Sequence, residues 1–518
     1  MGLSNFAKKI RLWPENIFNL KTLVPFFVLV ELASFLAYCH SWVNVSIFGL
    51  IVLTALFLSL KKPIFGLYIV FAELILSSKG YFFFLDLGDF AMSLRIALFG
   101  IVFLVWIIKF FQAWSAQYRQ TKIVWQIPAG FLKIWQHKIG RGYLLLGIVI
   151  VWGIVWGLIQ KNSLTNVFLD FNNWLYFLLI IPFVDWFDKK SQLNNFLQLL
   201  FAGTIVLFIE TILISYIYSH QYPALMIALF RWTTDFGIGE ISQYMLGFYR
   251  VFIQSQVFVL ATFFISLALL LIQKFQQGKS LWSKYLFIFI CAGTTLLISF
   301  SRSYWVGIFV GVIALLIILK IKFNFRFSQI FKSLGLLIII AIFNFVLVFG
   351  VINLPPQKQP LNLAYLFGNR LLQGGAAGQS RISQLEPLKQ EILKSPLIGH
   401  GFGQTITYQS FDPRQMTEAN PEGWYTTYAF EWGYLDMILK FGIVGLLIYL
   451  FLIFNVVRLT WTKIKTSLFE KQNDKAGLIF GLVLGLTAIV VTHIFSPYLN
   501  HPLGIGYLIF LNSILFVI

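Results

Sequence analysis

The chain has 518 residues, of which 58% are hydrophobic and only 11% charged, with a formal net charge of +19. So small a charged fraction excludes a soluble enzyme and predicts an all-α, polytopic transmembrane helical bundle. The basic excess invites a nucleic-acid partner, but lysines and arginines are spread loop by loop rather than gathered on one face, so no nucleic acid is expected.

Apolar runs long enough to cross about 30 Å of hydrocarbon as helices recur along the whole chain. About fourteen are expected, near 22–37, 43–60, 63–76, 91–111, 143–159, 174–187, 196–218, 251–273, 285–299, 304–319, 334–352, 435–457, 476–495 and 503–518. They divide the chain into spans 1–11 within residues 1–352, one long loop over 353–430, and C-terminal spans within 431–518.

Basic residues alternate with the connections. Twenty-six of the 39 lysines and arginines lie in the N-terminal segment (with Lys8, Lys9 and Arg11) and in every second connection after it, from Lys61 and Lys62 to the 458–475 stretch. That asymmetry predicts that these connections and both termini are cytoplasmic. No cleavable leader is expected, because the first apolar run lacks a small-residue cleavage site. Cys39 and Cys291 lie in or beside spans and imply no disulfide framework. The 112–141 stretch interleaves Trp114, Trp125 and Trp135 with bases, as in a segment lying on an anionic membrane surface.

The loop over 353–430 is polar, rich in Gly and Pro, and extracytoplasmic on this topology; a loop of that length is usually functional or disordered. Within it, residues 380–394 are expected to form a helix with Ile382, Leu385, Leu388 and Ile392 on one side, ending at Ser395 and Pro396. "GHGFGQ" (399–404) is expected to be a turn rather than a phosphate-binding loop. Asp86 and Asp89 in "DLGD" read as a polar turn, since two carboxylates make a poor metal site, and no metal is expected. Glu31, Glu73 and Glu210 lie in or near spans, where they are either polar interior contacts or packed in protonated form.

"SFSRSYWVG" (299–307) places Arg302 in a tight hairpin between two spans, on the side of the long loop. Arg302 either snorkels to headgroups or binds an anion. Arg250, expected to open the 251–273 span on the same side, favours the second reading. Two guanidinium forks suit a pyrophosphate, and Ser301 and Ser303 add hydroxyls.

These segments resemble the bacterial O-antigen ligase and O-antigen polymerase superfamily over roughly 247–450. "FYRVFIQSQVFV" is similar to the family's arginine before a span, and "SFSRSYWVG" to its serine-arginine-small hairpin. "RISQLEPLKQEILKSPLIGHGFG" resembles its helix followed by Pro-Leu-hydrophobic-Gly-x-Gly-x-Gly. "EWGYLDMILKFGIVGLLIYL" is similar to its His-Asn segment before Gly-hydrophobic-hydrophobic-Gly, but Glu431 and Trp432 stand where many members carry His and Asn.

The resemblance implies an inverting, metal-independent glycosyltransferase without a cofactor, in the bacterial inner membrane. It would move a glycan from a polyprenyl-pyrophosphate donor to a glycan or lipid-core acceptor outside the cytoplasm, with membrane lipids as its surroundings. Arg250 and Arg302, with Ser301 and Ser303, would hold the leaving diphosphate. Glu431 would be the catalytic base or orient the acceptor, against the alternative of a plain helix-start carboxylate. Arg381, His400 and Tyr428 are further candidates for substrate contact. A flippase for lipid-linked oligosaccharides or another transporter is the competing expectation; it would concentrate charge near the bilayer midplane, whereas the unusual charges here gather at one face.

Overall fold

The computed structural model describes residues 17–88, 91–122, 126–245, 247–355, 375–412, 415–417 and 420–517. Lys8, Lys9, Arg11, Asp89 and Trp125 lie outside the described residues. Among the described residues, eleven helical segments are long and apolar enough to cross a membrane, and three shorter apolar helices, Ile64–Leu76, Lys284–Ser299 and Pro502–Phe516, bring the set to the fourteen expected. The protein is an all-α polytopic bundle.

Helices that are apolar all round form its centre. The helix Gln256–Gln276 (α10) is 94% buried across its most apolar window, and Lys190–Ser219 (α8) and Asn473–Thr492 (α17) are each 72% buried. Leu20–Cys39 (α1), Ser41–Lys61 (α2), Arg302–Ile321 (α12) and Phe327–Ile352 (α13) bury only 22–28% and turn Leu29, Leu53, Phe309 and Phe343 outward. Close packing of α17 on α10 depends on small residues, as is usual where no water drives helices together. A Cβ on Gly481 would stand 2.6 Å from the Ile265 Cα, and one on Gly485 3.0 Å from the Ala261 Cα.

Three segments depart from the sequence expectation. The span around Trp174 is not one helix but Leu164–Phe171 (α6), a 3₁₀ stretch Asn172–Leu179 and Ile180–Trp186 (α7). Residues 251–253 belong to a hairpin of Gly239–Met245 (β3) and Phe248–Ile253 (β4), so Arg250 lies on a strand, pairing opposite Ser242, and α10 starts only at Gln256. Among its described residues the long loop carries two helices, Gly375–Ser383 (α14) and Leu385–Lys394 (α15), and a hairpin of Ile406–Gln409 (β5) with Trp424–Thr427 (β6). Of its expected apolar face, Leu388 is fully buried while Ile382 is 67% exposed; six residues apart on a helical path, they stand about 120° from each other.

Consecutive connections gather at opposite ends of the bundle. At one end, Asn162 bonds His400, Arg250 bonds Ser299 and Trp432 bonds Arg381. At the other, Gln276 bonds Phe323, Gln329 bonds Phe275 and Gln277 bonds Asp474. The first is termed the loop end and the second the basic end.

The long loop is sewn into the bundle through the glycine turn. The helix Gly433–Phe469 (α16) breaks at Gly442, with φ 69° and ψ −178°. The break releases backbone groups that the loop takes up, which is how interrupted helices are tolerated inside a membrane protein. His400 and Gly401 amides donate to the Leu439 and Lys440 carbonyls at 2.8 and 2.9 Å, and the Ile443 amide donates to the Pro396 carbonyl at 2.8 Å. From Lys138–Ile159 (α5), Trp152 and Trp156 donate to the carbonyls of Ile398 and Gly399. Just beyond α5, Asn162 donates to the carbonyls of His400 and Phe402. "GHGFGQ" is thus a turn, as expected, and a structural one.

Candidate active site

At the loop end, the β3–β4 hairpin holds Arg250 against the end of Lys284–Ser299 (α11). Its Nε donates to the Ser299 carbonyl at 3.0 Å, its Nη1 lies 3.7 Å from the Glu240 carboxylate, and its guanidinium stacks 4.7 Å from the Phe252 ring centroid. Burial pushes the Arg250 pKa down and Glu240 pulls it back up; the neighbouring Arg302 charge adds to the lowering.

Arg302 is the first residue of α12. Phe300, in the left-handed region at φ 48°, closes α11, and Ser301 caps α12, so two residues make the whole turn. The Ser301 and Ser303 hydroxyls are 3.0 Å apart. Ser496 donates to the Ser303 hydroxyl at 3.2 Å and Thr492 to its carbonyl at 3.3 Å, so both serines belong to a buried polar seam with the 493–501 turn. Above this seam α14 covers Arg302: a Cβ on Gly378 would lie 3.2 Å from the Arg302 Nη2.

A third arginine joins from the loop. Arg381 forms an ion pair with Glu431, its side chain 32% and that of Glu431 42% exposed, and Trp432 donates to the Arg381 carbonyl at 2.8 Å. Tyr498, hydrogen-bonded to Tyr304, lies within the electrostatic reach of Arg250, Arg381 and Glu240. Burial raises the Tyr498 pKa, while Arg250 and Arg381 act to lower it and Glu240 to raise it. Arg250, Arg302 and Arg381 therefore share one polar face with Glu240 and Glu431.

His400 and Tyr428 make their contacts elsewhere. The His400 Nε2 faces the Glu391 carbonyl at 2.9 Å and its side chain is 12% exposed, so it serves the packing of the turn on α15. Tyr428 has its pKa raised by burial first, with Asp170 and Lys440 as its charged neighbours. Those neighbours form a network that sequence reasoning missed. The Lys440 ammonium, 3% exposed, lies 2.5 Å from Asp170 and 2.7 Å from Asp436. Asn500 donates to Asp436 at 2.6 Å, and the Gly403 amide to Asp170 at 3.0 Å. The signal was present: Asp436 and Lys440 stand four residues apart inside an apolar span, where a charged pair needs a reason.

Of the intramembrane acids singled out, Glu73 is paired with Arg95 at 3.0 Å, and neither Glu31 nor Glu210 has a hydrogen-bond partner for its carboxylate among the described residues. The Gly88 amide bonds Asp86 in a polar turn. Among the described residues no group of three or more His, Cys, Asp or Glu is placed to hold a metal ion.

The fold and this face define a polytopic helical membrane protein with a polar, arginine-bearing end capped by an ordered loop. Residues 286–450 match the family model described as O-antigen ligase, so this part of the chain is similar to that family. That stretch includes the Arg302 hairpin, the loop helices, the glycine turn and Glu431. No curated protein matches the chain.

Proposed function

We propose that the protein transfers a glycan from a polyprenyl-pyrophosphate donor to an acceptor hydroxyl at the loop end, outside the cytoplasm. The observation that carries this reading is the convergence of three arginines from separate segments: Arg250 on the Ser299 carbonyl beside the Arg302 turn, and Arg381 on α14, whose Gly378 lies against Arg302. Guanidinium groups pair with phosphate oxygens bidentately and stabilise the charge that grows on a leaving diphosphate. A donor carried by a membrane lipid reaches this face without leaving the bilayer.

In the reaction, the acceptor oxygen attacks the anomeric carbon from the side opposite the diphosphate and inverts it. The carbon–oxygen bond to the diphosphate breaks, and its electron pair leaves with the phosphate. Glu431 takes the hydroxyl proton. In the resting protein Arg381 pairs with that carboxylate. Donor phosphate competes for Arg381, and transfer of the guanidinium to the phosphates leaves Glu431 open to the acceptor. Ser301 and Ser303 set the Arg302 turn through their hydrogen-bonded seam and present hydroxyls beside it. The Lys440 network holds the first turns of α16, and hence Glu431, in place.

Deletion of the gene, followed by analysis of surface glycan chain length, tests this function. A single repeat unit retained on the acceptor identifies a polymerase. Loss of all attached glycan, with lipid-linked polymer accumulating, identifies a ligase. Unchanged surface glycan in length and amount contradicts the proposal.

A further inference from the structure

At the basic end, far from the arginine face, the ends of three helices surround a cavity of about 320 Å³. It is lined by Lys190 of α8, Lys284 of α11 and Lys475 of α17, with Asn194, Gln198 and Tyr285 beside them. Below these the wall is apolar, built by Leu193, Leu197, Phe201, Leu269 and Leu478. We propose that this cavity binds the phosphate headgroup of an anionic membrane phospholipid, with the start of an acyl chain against the apolar wall.

Three features support that occupant. First, α8 begins at Lys190, α11 at Lys284 and α17 at Asn473, so three helix N-termini and three lysines stand around one space. Amides at helix starts and the aligned dipoles favour an anion there. Secondly, the one carboxylate in the lining, Asp474, is already engaged by Gln273 at 3.0 Å, Gln277 at 2.9 Å and Lys279 at 3.3 Å. Its ion pair among the described residues is with Lys279, not with Lys190 or Lys284. Thirdly, Trp282, two residues before α11, is 87% exposed, as tryptophans are at the headgroup level of a bilayer. Basic pockets between spans with an apolar interior suit a lipid better than a free anion, because the apolar wall rewards a chain that inorganic phosphate lacks.

Native mass spectrometry of the purified full-length protein, delipidated and re-equilibrated with phosphatidylglycerol, phosphatidylcholine or inorganic phosphate, tests the site. The wild type is expected to retain phosphatidylglycerol at least tenfold better than phosphatidylcholine. Millimolar phosphate is expected not to displace it. The triple variant Lys190→Gln, Lys284→Gln, Lys475→Gln is expected to lose that preference. Leu197→Phe, which fills the apolar wall and leaves every lysine in place, is expected to weaken lipid retention without the charge change. Equal retention of both lipids by the wild type, or an undiminished preference in the triple variant, overturns the proposal. Full displacement by inorganic phosphate also overturns it, in favour of a soluble anion.

Discussion

The arginine face and the Lys440 network are both charged clusters at the loop end, built on opposite arithmetic. Around Lys440 one ammonium sits between two carboxylates, all three side chains are less than 10% exposed, and an asparagine and a backbone amide complete the set. On the arginine face, among the described residues, Arg250, Arg302 and Arg381 stand with Glu240 and Glu431, and the Arg381–Glu431 pair is 32% and 42% exposed. A buried cluster already closed by internal partners is a scaffold, since any added ligand would have to break it. A half-exposed cluster with excess positive charge takes up an anion by exchanging weak internal pairs for stronger ones. The lysine–aspartate cluster thus gives support, and the arginine–glutamate cluster carries the proposed chemistry.

The largest expected effect comes from opening the closed cluster. Lys440→Met leaves Asp170 and Asp436 buried without their cation, and is expected to cost about 3–5 kcal/mol of stability, visible as an early thermal transition in detergent. If the variant unfolds with the parent, the cluster is not the scaffold described here. On the open cluster, Arg302→Ala is expected to fold normally yet lower turnover by about 10²–10³-fold, the usual loss when one donor to a developing charge is removed. Arg302→Lys keeps the charge but not the fork and is expected to fall between the two. Near-parental turnover in both would return Arg302 to a headgroup contact.

A smaller effect is expected at the break in α16. Gly442→Ala forces a side chain onto φ 69° and a Cβ to 2.0 Å from the Leu397 carbonyl. The backbone strain alone costs about 1–3 kcal/mol. Proteolysis of the loop in the folded protein should speed up; an unchanged digestion pattern would contradict the stitching of turn to helix. The smallest is Glu240→Gln. Its carboxylate is 61% exposed and 3.7 Å from Arg250, so stability is expected to change by under about 1 kcal/mol.

Much of the fold was legible because hydrocarbon imposes a simple rule of length and apolarity, and all fourteen apolar runs are helical over most of their length. The exceptions have physical causes. The β3–β4 hairpin was absorbed into a span because Val251, Phe252 and Ile253 suit a strand as well as a helix, and periodicity cannot separate short apolar runs. The loop hairpin β5–β6 lacked a two-residue turn signal, since fourteen residues separate its strands. At the site, Arg250, Arg302 and Glu431 were visible as charges at span ends, and Arg381 by its place in the loop motif. That Arg381 would meet Glu431 was not, because fifty residues and a hairpin separate them. His400 drew attention inside a glycine turn whose glycines are explained by close contact with α5, α6 and α16.

The central claim is that the arginine face holds the donor diphosphate while Glu431 serves the acceptor. It is tested most directly by measuring binding of a polyprenyl pyrophosphate to the purified protein in nanodiscs, alongside turnover, for the parent, Arg302→Ala and Glu431→Gln. Binding is predicted to weaken at least tenfold in Arg302→Ala. In Glu431→Gln it is predicted to stay close to the parent while turnover collapses. Parental affinity in Arg302→Ala, or parental turnover in Glu431→Gln, would contradict the assignment.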